Sequence, residues 1–123
     1  MTIEFTVPYP ARKSAWTKRY GFNAYWAGKK PCVRAADARN LETFVRLCLR
    51  QQGVPVRLFD KPVSISFWHN THMDVDNHAA IEKMTVDALK GWLLRNDDRR
   101  HYREKHSFFH DENYMRVVIS DEA

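Results

Sequence analysis

Residues 63–92 read VSISFWHNTHMDVDNHAAIEKMTVDALKGW, and their pattern predicts a strand followed by a helix. Residues 63–68 alternate apolar and other side chains, which is typical of a half-buried strand. Beyond them, apolar residues recur every three or four positions up to about Arg95, so we expect a helix. Asp76 and Asn77 are both favoured N-cap types, and the helix is predicted to begin near them.

The flanking segments supply the remaining elements. Period-two patterns predict further strands over residues 2–7 and 115–119, and richness in Tyr, His and Phe predicts another over residues 99–109. A helical pattern runs from about Ala36 to Gln52, and residues 110–113 contain the turn signals of a hairpin. We expect an α/β domain of the α+β type, with a mixed sheet of about four strands and two helices. The predicted order is strand, loop, helix, strand, helix, hairpin.

Length and composition predict one compact domain. The chain has 123 residues, which is enough for one core and too few for two ordinary domains, so the predicted domain spans residues 1–123. It contains no export signal and no apolar run long enough to cross a membrane. Cys32 and Cys48 lack metal-type spacing. We therefore expect a cytoplasmic protein without membrane contact, in which both thiols are reduced.

Residues from about 9 to 34, called here the basic segment, predict a long loop rich in positive charge. Between residues 11 and 40 there are eight Lys or Arg and one acid, and five aromatic residues lie among them. Such a segment attracts polyanions, and its aromatics can stack on exposed bases. The alternative is a solvated loop whose aromatics pack on the core. The candidate DNA-binding residues are Arg12, Lys13, Lys18, Arg19, Lys29 and Lys30.

The aspartates that follow the central strand are candidate metal ligands. Asp74 and Asp76 are two residues apart, so in extended chain their side chains point to the same side. Magnesium prefers oxygen ligands, and a bound divalent cation activates water and neutralises charge during phosphodiester hydrolysis. Asp98 approaches this pair only if the following strand folds back beside the central one. The alternative is that these aspartates cap a helix and start a turn.

Lys83 lies seven residues after Asp76, which is two helical turns and nearly the same face. A lysine at this position is suited to neutralising phosphate charge in a transition state. The alternative is an exposed pair between Lys83 and Asp87. The nearby His69 and His72 lack a zinc motif, so we expect them to pack or to contact phosphate.

Three features together resemble the RusA family of Holliday junction resolvases, which occurs in bacteria and their phages. They are Asp74-Val75-Asp76-Asn77, then Lys83 followed by Asp87-Ala88-Leu89, then Asp97-Asp98. The family shows an Asp-x-Asp-Asn motif, a helix with Lys and Asp-Ala-Leu, and an Asp-Asp pair about eleven residues beyond the helical Asp. The strand, basic loop and helix upstream also resemble the first half of that family.

The resemblance implies a homodimeric endodeoxyribonuclease that uses Mg²⁺, or Mn²⁺ in its place, to resolve four-way DNA junctions by paired symmetric nicks during recombination and repair. It implies Asp74, Asp76 and Asp98 as catalytic metal ligands and Lys83 as the active-site lysine. It also implies a bacterial or phage-infected bacterial cell.

The spacing before Lys83 departs from the family pattern. Five residues, 78–82, separate Asn77 from Lys83 where the family usually has two. Either the helix begins later or the lysine acts from farther away. His78 and Glu82 then become candidates for further ligands or proton-transfer groups, and Asp97 is a further candidate ligand.

Two other functions fit the same residues. One is a metal nuclease for other branched DNA, such as flaps. The other is a DNA-binding module without catalysis, in which the aspartates only cap and turn the chain.

Overall fold

The computed structural model describes residues 1–122, so the last residue of the predicted domain, Ala123, lies outside it. The described strands are β1 (Thr2–Pro8), β2 (Val63–His69), β3 (Tyr102–Phe109) and β4 (Tyr114–Ser120). The described α-helices are α1 (Lys13–Tyr20), α2 (Phe22–Trp26), α3 (Pro31–Gln51) and α4 (Ala79–Leu89). A short 3-10 helix, Val75–His78, precedes α4 and is called the motif turn.

The strands form one mixed sheet in the order β1-β4-β2-β3. Strand β4 is antiparallel to both β1 and β2, whereas β2 and β3 are parallel and are connected through α4. The predicted α+β class and four-stranded mixed sheet are confirmed. The predicted hairpin is not formed, because β2 lies between β3 and β4. A period-two pattern identifies strands, but it does not say which strands are neighbours.

The core lies between one face of the sheet and the helices. Alternate residues of β2 and β4 are fully buried, and they join the apolar residues of α3 and α4 in one cluster. The intervening residues on both strands are only half-buried, so the other sheet face is more accessible. This one-sided burial is the pattern expected of a sheet covered by helices on one face.

The helices differ from the prediction in number and length. The basic segment is not a loop, because it contains α1 and α2 and the first turn of α3. Its aromatic side chains Trp16, Tyr20 and Tyr25 are buried, so packing of large rings stabilises helices too short to show a clear period. Helix α4 ends at Leu89, earlier than predicted, and the chain turns at Gly91, whose φ is +82°.

Two predictions concern features that we expected to be absent, a disulfide bond and a membrane-spanning helix. Cys32 is exposed, Cys48 is buried, and both are free thiols in the structure. Within residues 1–122, no helix has the length and apolar character needed to span a bilayer.

Candidate active site

The motif turn holds two exposed carboxylates. Asp74 precedes the turn in extended conformation and Asp76 lies within it. Within residues 1–122 neither carboxylate accepts a hydrogen bond or forms an ion pair, and neither caps a helix through its side chain. The alternative in which these aspartates serve as helix caps therefore has no support, and both remain available to a ligand.

Asn77 attaches the motif turn to the basic segment. Its Oδ1 accepts a hydrogen bond from the backbone N–H of Asn23 in α2, at 2.7 Å. Gly21 is buried beside the same turn, since a Cβ built on it would lie 2.7 Å from Sδ of Met73 and 3.6 Å from Nδ2 of Asn77. The motif turn therefore packs against α2 and the glycine that separates α1 from α2.

Asp98 is held in a local turn instead. Its Oδ1 accepts hydrogen bonds from the backbone N–H of Arg100 at 3.1 Å and from Nδ1 of His101 at 2.6 Å. Its Oδ2 lies 3.3 Å from Nη2 of Arg100. The hydrogen bond from His101 is the main cause that lowers the pKa of Asp98. The contacts of Asp98 therefore agree with the alternative in which this residue starts a turn and does not bind a metal.

The sheet register separates Asp98 from the motif turn. His101 O accepts from the N–H of Val63, so Asp98 lies near the start of β2, whereas Asp74 follows its end. Strand β2 has seven residues and spans about 20 Å at about 3.3 Å per residue. Strand β3, which follows Asp98, does pair with β2. Because the two strands are parallel, Asp98 lies near the start of β2 and not at its end, where Asp74 follows.

The predicted three-aspartate metal site therefore does not fit this structure. Among residues 1–122, no three His, Cys, Asp or Glu side chains are grouped closely enough to hold one ion. Asp74 and Asp76 alone remain a candidate pair, because Mg²⁺ often takes only one or two carboxylates and completes its shell with water and substrate phosphate.

Lys83 belongs to a cluster of paired charges. Its Nζ lies 2.9 Å from Asp87 and 3.0 Å from Asp97. Lys90 contacts the same two carboxylates, at 3.3 and 3.2 Å. Hydrogen bonding to Asp87, followed by that to Asp97, raises the pKa of Lys83, and the bond from Lys83 lowers the pKa of Asp97. The predicted pairing of Lys83 with Asp87 is present, and Asp97 joins it.

A buried polar network behind the motif turn was not predicted. Glu82 Oε2 accepts from Nε2 of His69 at 2.9 Å and from Oγ of Ser107 at 2.5 Å, and Oε1 lies 3.0 Å from Nζ of Lys105. His69 and Glu82 are only 0% and 2% exposed. Burial by itself would raise the pKa of Glu82, but the hydrogen bonds from His69, Ser107 and Lys105 lower it below its usual value.

His78 connects this network to the motif turn. Its ring stacks on His69 with centroids 4.0 Å apart. Nε2 of His78 lies 2.7 Å from Oγ1 of Thr71, and Nδ1 lies 3.1 Å from the carbonyl oxygen of Val75. Burial is the main cause that lowers the pKa of His78, and the neighbouring His69 adds to it. His78 and Glu82 are thus structural partners in this structure and do not face solvent as free ligands.

The predicted DNA-binding residues divide into two groups. Lys29 is mostly buried, since its Nζ contacts Asp37 at 2.8 Å and the carbonyl oxygen of Arg19 at 2.8 Å. Arg19 also faces Asp37, at 3.7 Å, but its side chain is 55% exposed. The others have no ion-pair partner in residues 1–122: Arg12, Lys18 and Lys30 are exposed, and Lys13 is partly buried, with its Nζ 5.3 Å from the Tyr9 ring centroid.

The aromatics of the basic segment divide in the same way. Trp16, Tyr20 and Tyr25 pack in the core, as the solvated-loop alternative expected. Phe22 and Trp26 are 41% and 53% exposed on α2. Of the five aromatics in the basic segment, these two are exposed enough to stack on a base, although the Arg34 guanidinium lies 4.7 Å from the Trp26 ring centroid.

Neither the comparison with protein-family models nor the search of curated proteins gave a match for this chain. The resemblance to the RusA family and the nuclease function it implies therefore stay predictions, and the geometry of the site is what can support them.

Proposed function

We propose that the protein is a divalent-metal-dependent endodeoxyribonuclease that cuts branched DNA, with the four-way junction as its substrate. The observation that carries the proposal is the position of Asp74 and Asp76, exposed and without a side-chain partner on a turn that Asn77 bonds to the basic segment. Free carboxylates cost binding energy next to a polyanion unless a cation lies between them. The pairing of acidic turn and basic helices therefore favours a metal that is bound together with phosphate.

In this proposal, one set of residues binds DNA and another holds the metal ion. Arg12, Lys13 and Lys18 attract the phosphate backbone without needing the metal, since they lie on a different element. Asp74 and Asp76 would hold Mg²⁺ or Mn²⁺, which supplies charge neutralisation and an activated water when bound. Lys83 is already neutralised by two carboxylates, so its part is the weaker one.

The first experiment is cleavage of a synthetic four-way junction with Mg²⁺ or Mn²⁺. Wild type should cut, and Asp74→Asn and Asp76→Asn should each lose at least about 100-fold in rate, since their ligand oxygens contribute several kcal/mol of charge stabilisation. Junction binding in EDTA should persist in both variants. Asp111→Asn, a change at an exposed aspartate in the turn before β4, is the matched control and should cut normally. An inactive wild type, or fully active variants at both positions, contradicts the proposal.

The Asp98→Asn variant tests whether Asp98 is a metal ligand or only stabilises its own turn. The resemblance predicts a loss as severe as that of Asp76→Asn. The bonds of Asp98 to Arg100 and His101 instead favour a moderate loss that follows reduced stability of the turn. Measuring cleavage and thermal unfolding of the same preparation separates these results.

The same assay tests the substrate and the assembly. Rates on junction, flap and linear duplex distinguish a resolvase from a nuclease for other branched DNA. Paired symmetric nicking requires two copies of the chain, so we expect a solution mass of twice 14.6 kDa. A monomeric mass at working concentration would count strongly against paired nicking. A cytoplasmic location in a bacterial or phage-infected cell belongs to the same proposal.

A DNA-binding module without catalysis is the second candidate, and the separation of Asp98 from the motif turn favours it. This function predicts junction binding that weakens steeply with salt, as counterion release requires, and no cleavage with either metal.

A further inference from the structure

The sheet face opposite the core carries a row of flat side chains. The Trp68 and Phe108 rings are stacked, with centroids 5.0 Å apart and planes 22° apart. The guanidinium of Arg116 lies 4.4 Å from the Trp68 ring centroid. Two residues before Phe108 on β3, the His106 ring lies 6.4 Å from the Phe108 ring, with planes 16° apart. These four groups, called the stacking row, cross three neighbouring strands.

Cross-strand stacking and the guanidinium over Trp68 stabilise the sheet, but they leave the Phe108 ring accessible to a ligand. Phe108 is 45% exposed, and neither Trp68 nor Phe108 belongs to the core cluster or packs against it. The register sets the row, because Trp68 is paired with Phe108 on one side and with Arg116 on the other. The sheet therefore holds planar groups in fixed positions at its accessible surface.

We propose that the stacking row binds the unpaired bases of single-stranded nucleic acid. Every base has a π face that stacks on aromatic rings and on guanidinium planes, and an ordered sheet surface provides this contact at little entropic cost. The other outward residues on this face include five with small hydroxyl side chains, Thr2, Thr6, Ser64, Ser66 and Ser120, together with Glu4, Glu104, Tyr114 and Val118. A surface that buries a second protein would be more apolar at its centre.

Charge distinguishes this surface from the basic segment. Arg116 is paired with Glu4 at 2.5 Å, and Glu104 lies 3.2 Å from Nε2 of His106 and 3.3 Å from Nε of Arg103. The charges around the row are nearly balanced, so stacking provides its affinity, while the net charge of +5 draws the polyanion to the molecule as a whole. The contribution of the row should therefore vary little with salt.

The row lies at the end of β2 that leads to Asp74, since Trp68 is the second-last residue of that strand. Unpaired bases at a branch point would thus be close to the motif turn. The inference itself does not rest on the proposed nuclease function, because binding can be measured without metal.

The experiment is the binding of a fluorescein-labelled oligothymidylate of about ten nucleotides, a length within the usual site sizes, followed by anisotropy in EDTA. Phe108→Ala should weaken binding at least about five-fold, the equivalent of one stacked base. Phe109→Ala is the matched control: Phe109 is adjacent and 52% exposed, but it faces His78 on the other side of the strand. It should change the affinity less than about two-fold on the same scale.

Two further variants separate the loss of a planar group from the loss of folding or of charge. Phe108→Leu preserves an apolar side chain and removes the ring, so it should weaken binding like Phe108→Ala even if the alanine variant folds poorly. Arg116→Lys preserves the charge and removes the guanidinium plane, and it should also weaken binding. The Phe108 effect should be the same at low and high salt.

Three results would overturn the proposal. They are unchanged affinity in Phe108→Leu, equal losses in the Phe108 and Phe109 variants, and a change from dimer to monomer in Phe108→Ala with oligonucleotide affinity unchanged. The last result would assign the row to contact between two copies of the chain. Junction cleavage is measured separately, so a failure here leaves the proposed nuclease function to its own test.

Discussion

At the scale of single residues, the five-residue stretch 78–82 departs from the spacing of the RusA family that the sequence resembles, and the structure bonds both of its polar side chains. His78 bonds to Thr71 and, within the motif turn, to the carbonyl oxygen of Val75, and Glu82 bonds to β2 and β3. The sequence predicted both as further ligands or proton-transfer groups. Their partners could not be predicted, because His69 and Ser107 come from different strands and meet Glu82 only through the tertiary fold.

Glu82→Gln should destabilise the protein by about 1–3 kcal/mol, because an amide cannot accept all three bonds and leaves buried donors unpaired. Urea unfolding at neutral pH measures the change. The control is Glu104→Gln on β3, whose carboxylate is half exposed and pairs at the surface, so its cost should be at most about 0.5 kcal/mol. Equal effects of the two changes would show that the buried network does not stabilise the fold.

The network also predicts how stability depends on pH. The folded protein lowers the pKa of Glu82 below its usual 4.5, so the unfolded chain binds this proton first as the pH falls. The stabilisation is complete above pH 4.5 and is lost as the pH falls through the lower, folded pKa. Other carboxyl groups with lowered pKa act with the same sign. The difference between wild type and Glu82→Gln should therefore shrink on acidification, and a constant difference would contradict the prediction.

At the scale of elements, the strands were predicted well and the helices less well. Alternation marks β2 and β4 clearly because one face of each is fully buried. Helices α1 and α2 have no such pattern. Trp16 of α1 packs edge-to-face on Tyr9 and Tyr20, and Tyr25 and Trp26 of α2 pack edge-to-face on each other. Asp74 and Asp76 were predicted to lie together in extended chain, but only Asp74 is extended, and Asp76 lies in the 3-10 helix of the motif turn. The position of Asp98 depends on the direction of β3, which a local sequence pattern cannot predict.

Gly21 tests the junction between α1, α2 and the motif turn. A Cβ there would lie 2.6 Å from the carbonyl oxygen of Thr17 and 2.7 Å from Sδ of Met73. We expect Gly21→Ala to cost about 1–3 kcal/mol, as overpacking does, and to lower any metal-dependent cleavage by moving the turn. Urea unfolding and the junction assay measure the two effects.

Gly53→Ala is the control for that change. Gly53 follows α3 and has a φ of +71°, and a Cβ at this position would have no neighbour within 4 Å. Only left-handed strain of about 1–2 kcal/mol is therefore expected. Cleavage should then be unchanged. Loss of cleavage in both variants would mean that reduced stability alone, and not the position of the motif turn, causes it.

At the scale of the whole molecule, positive charge is concentrated in one part of the sequence, since residues 11–40 contain eight Lys or Arg and one acid. The net charge of +5 is modest, but α2, which belongs to this segment, bonds to the motif turn through Asn77, and the carboxylates of Asp74 and Asp76 have no side-chain partner within residues 1–122. Composition and sequence order predicted this asymmetry. They could not predict that Lys29 is mostly buried against Asp37, because that contact joins the segment to α3 in space.

Lys18→Ala tests whether α1 is the phosphate-binding surface. Each lysine that neutralises a phosphate releases about one counterion, so the slope of log K against log salt for junction binding should decrease by about 1. Arg50→Ala removes an exposed cation at the other end of α3 and should leave the slope unchanged. Lys29→Ala should lower stability more than it changes the slope, since its Nζ is bonded within the protein. If Lys18→Ala and Arg50→Ala change the slope equally, binding reflects net charge alone and α1 is not a defined DNA-binding surface.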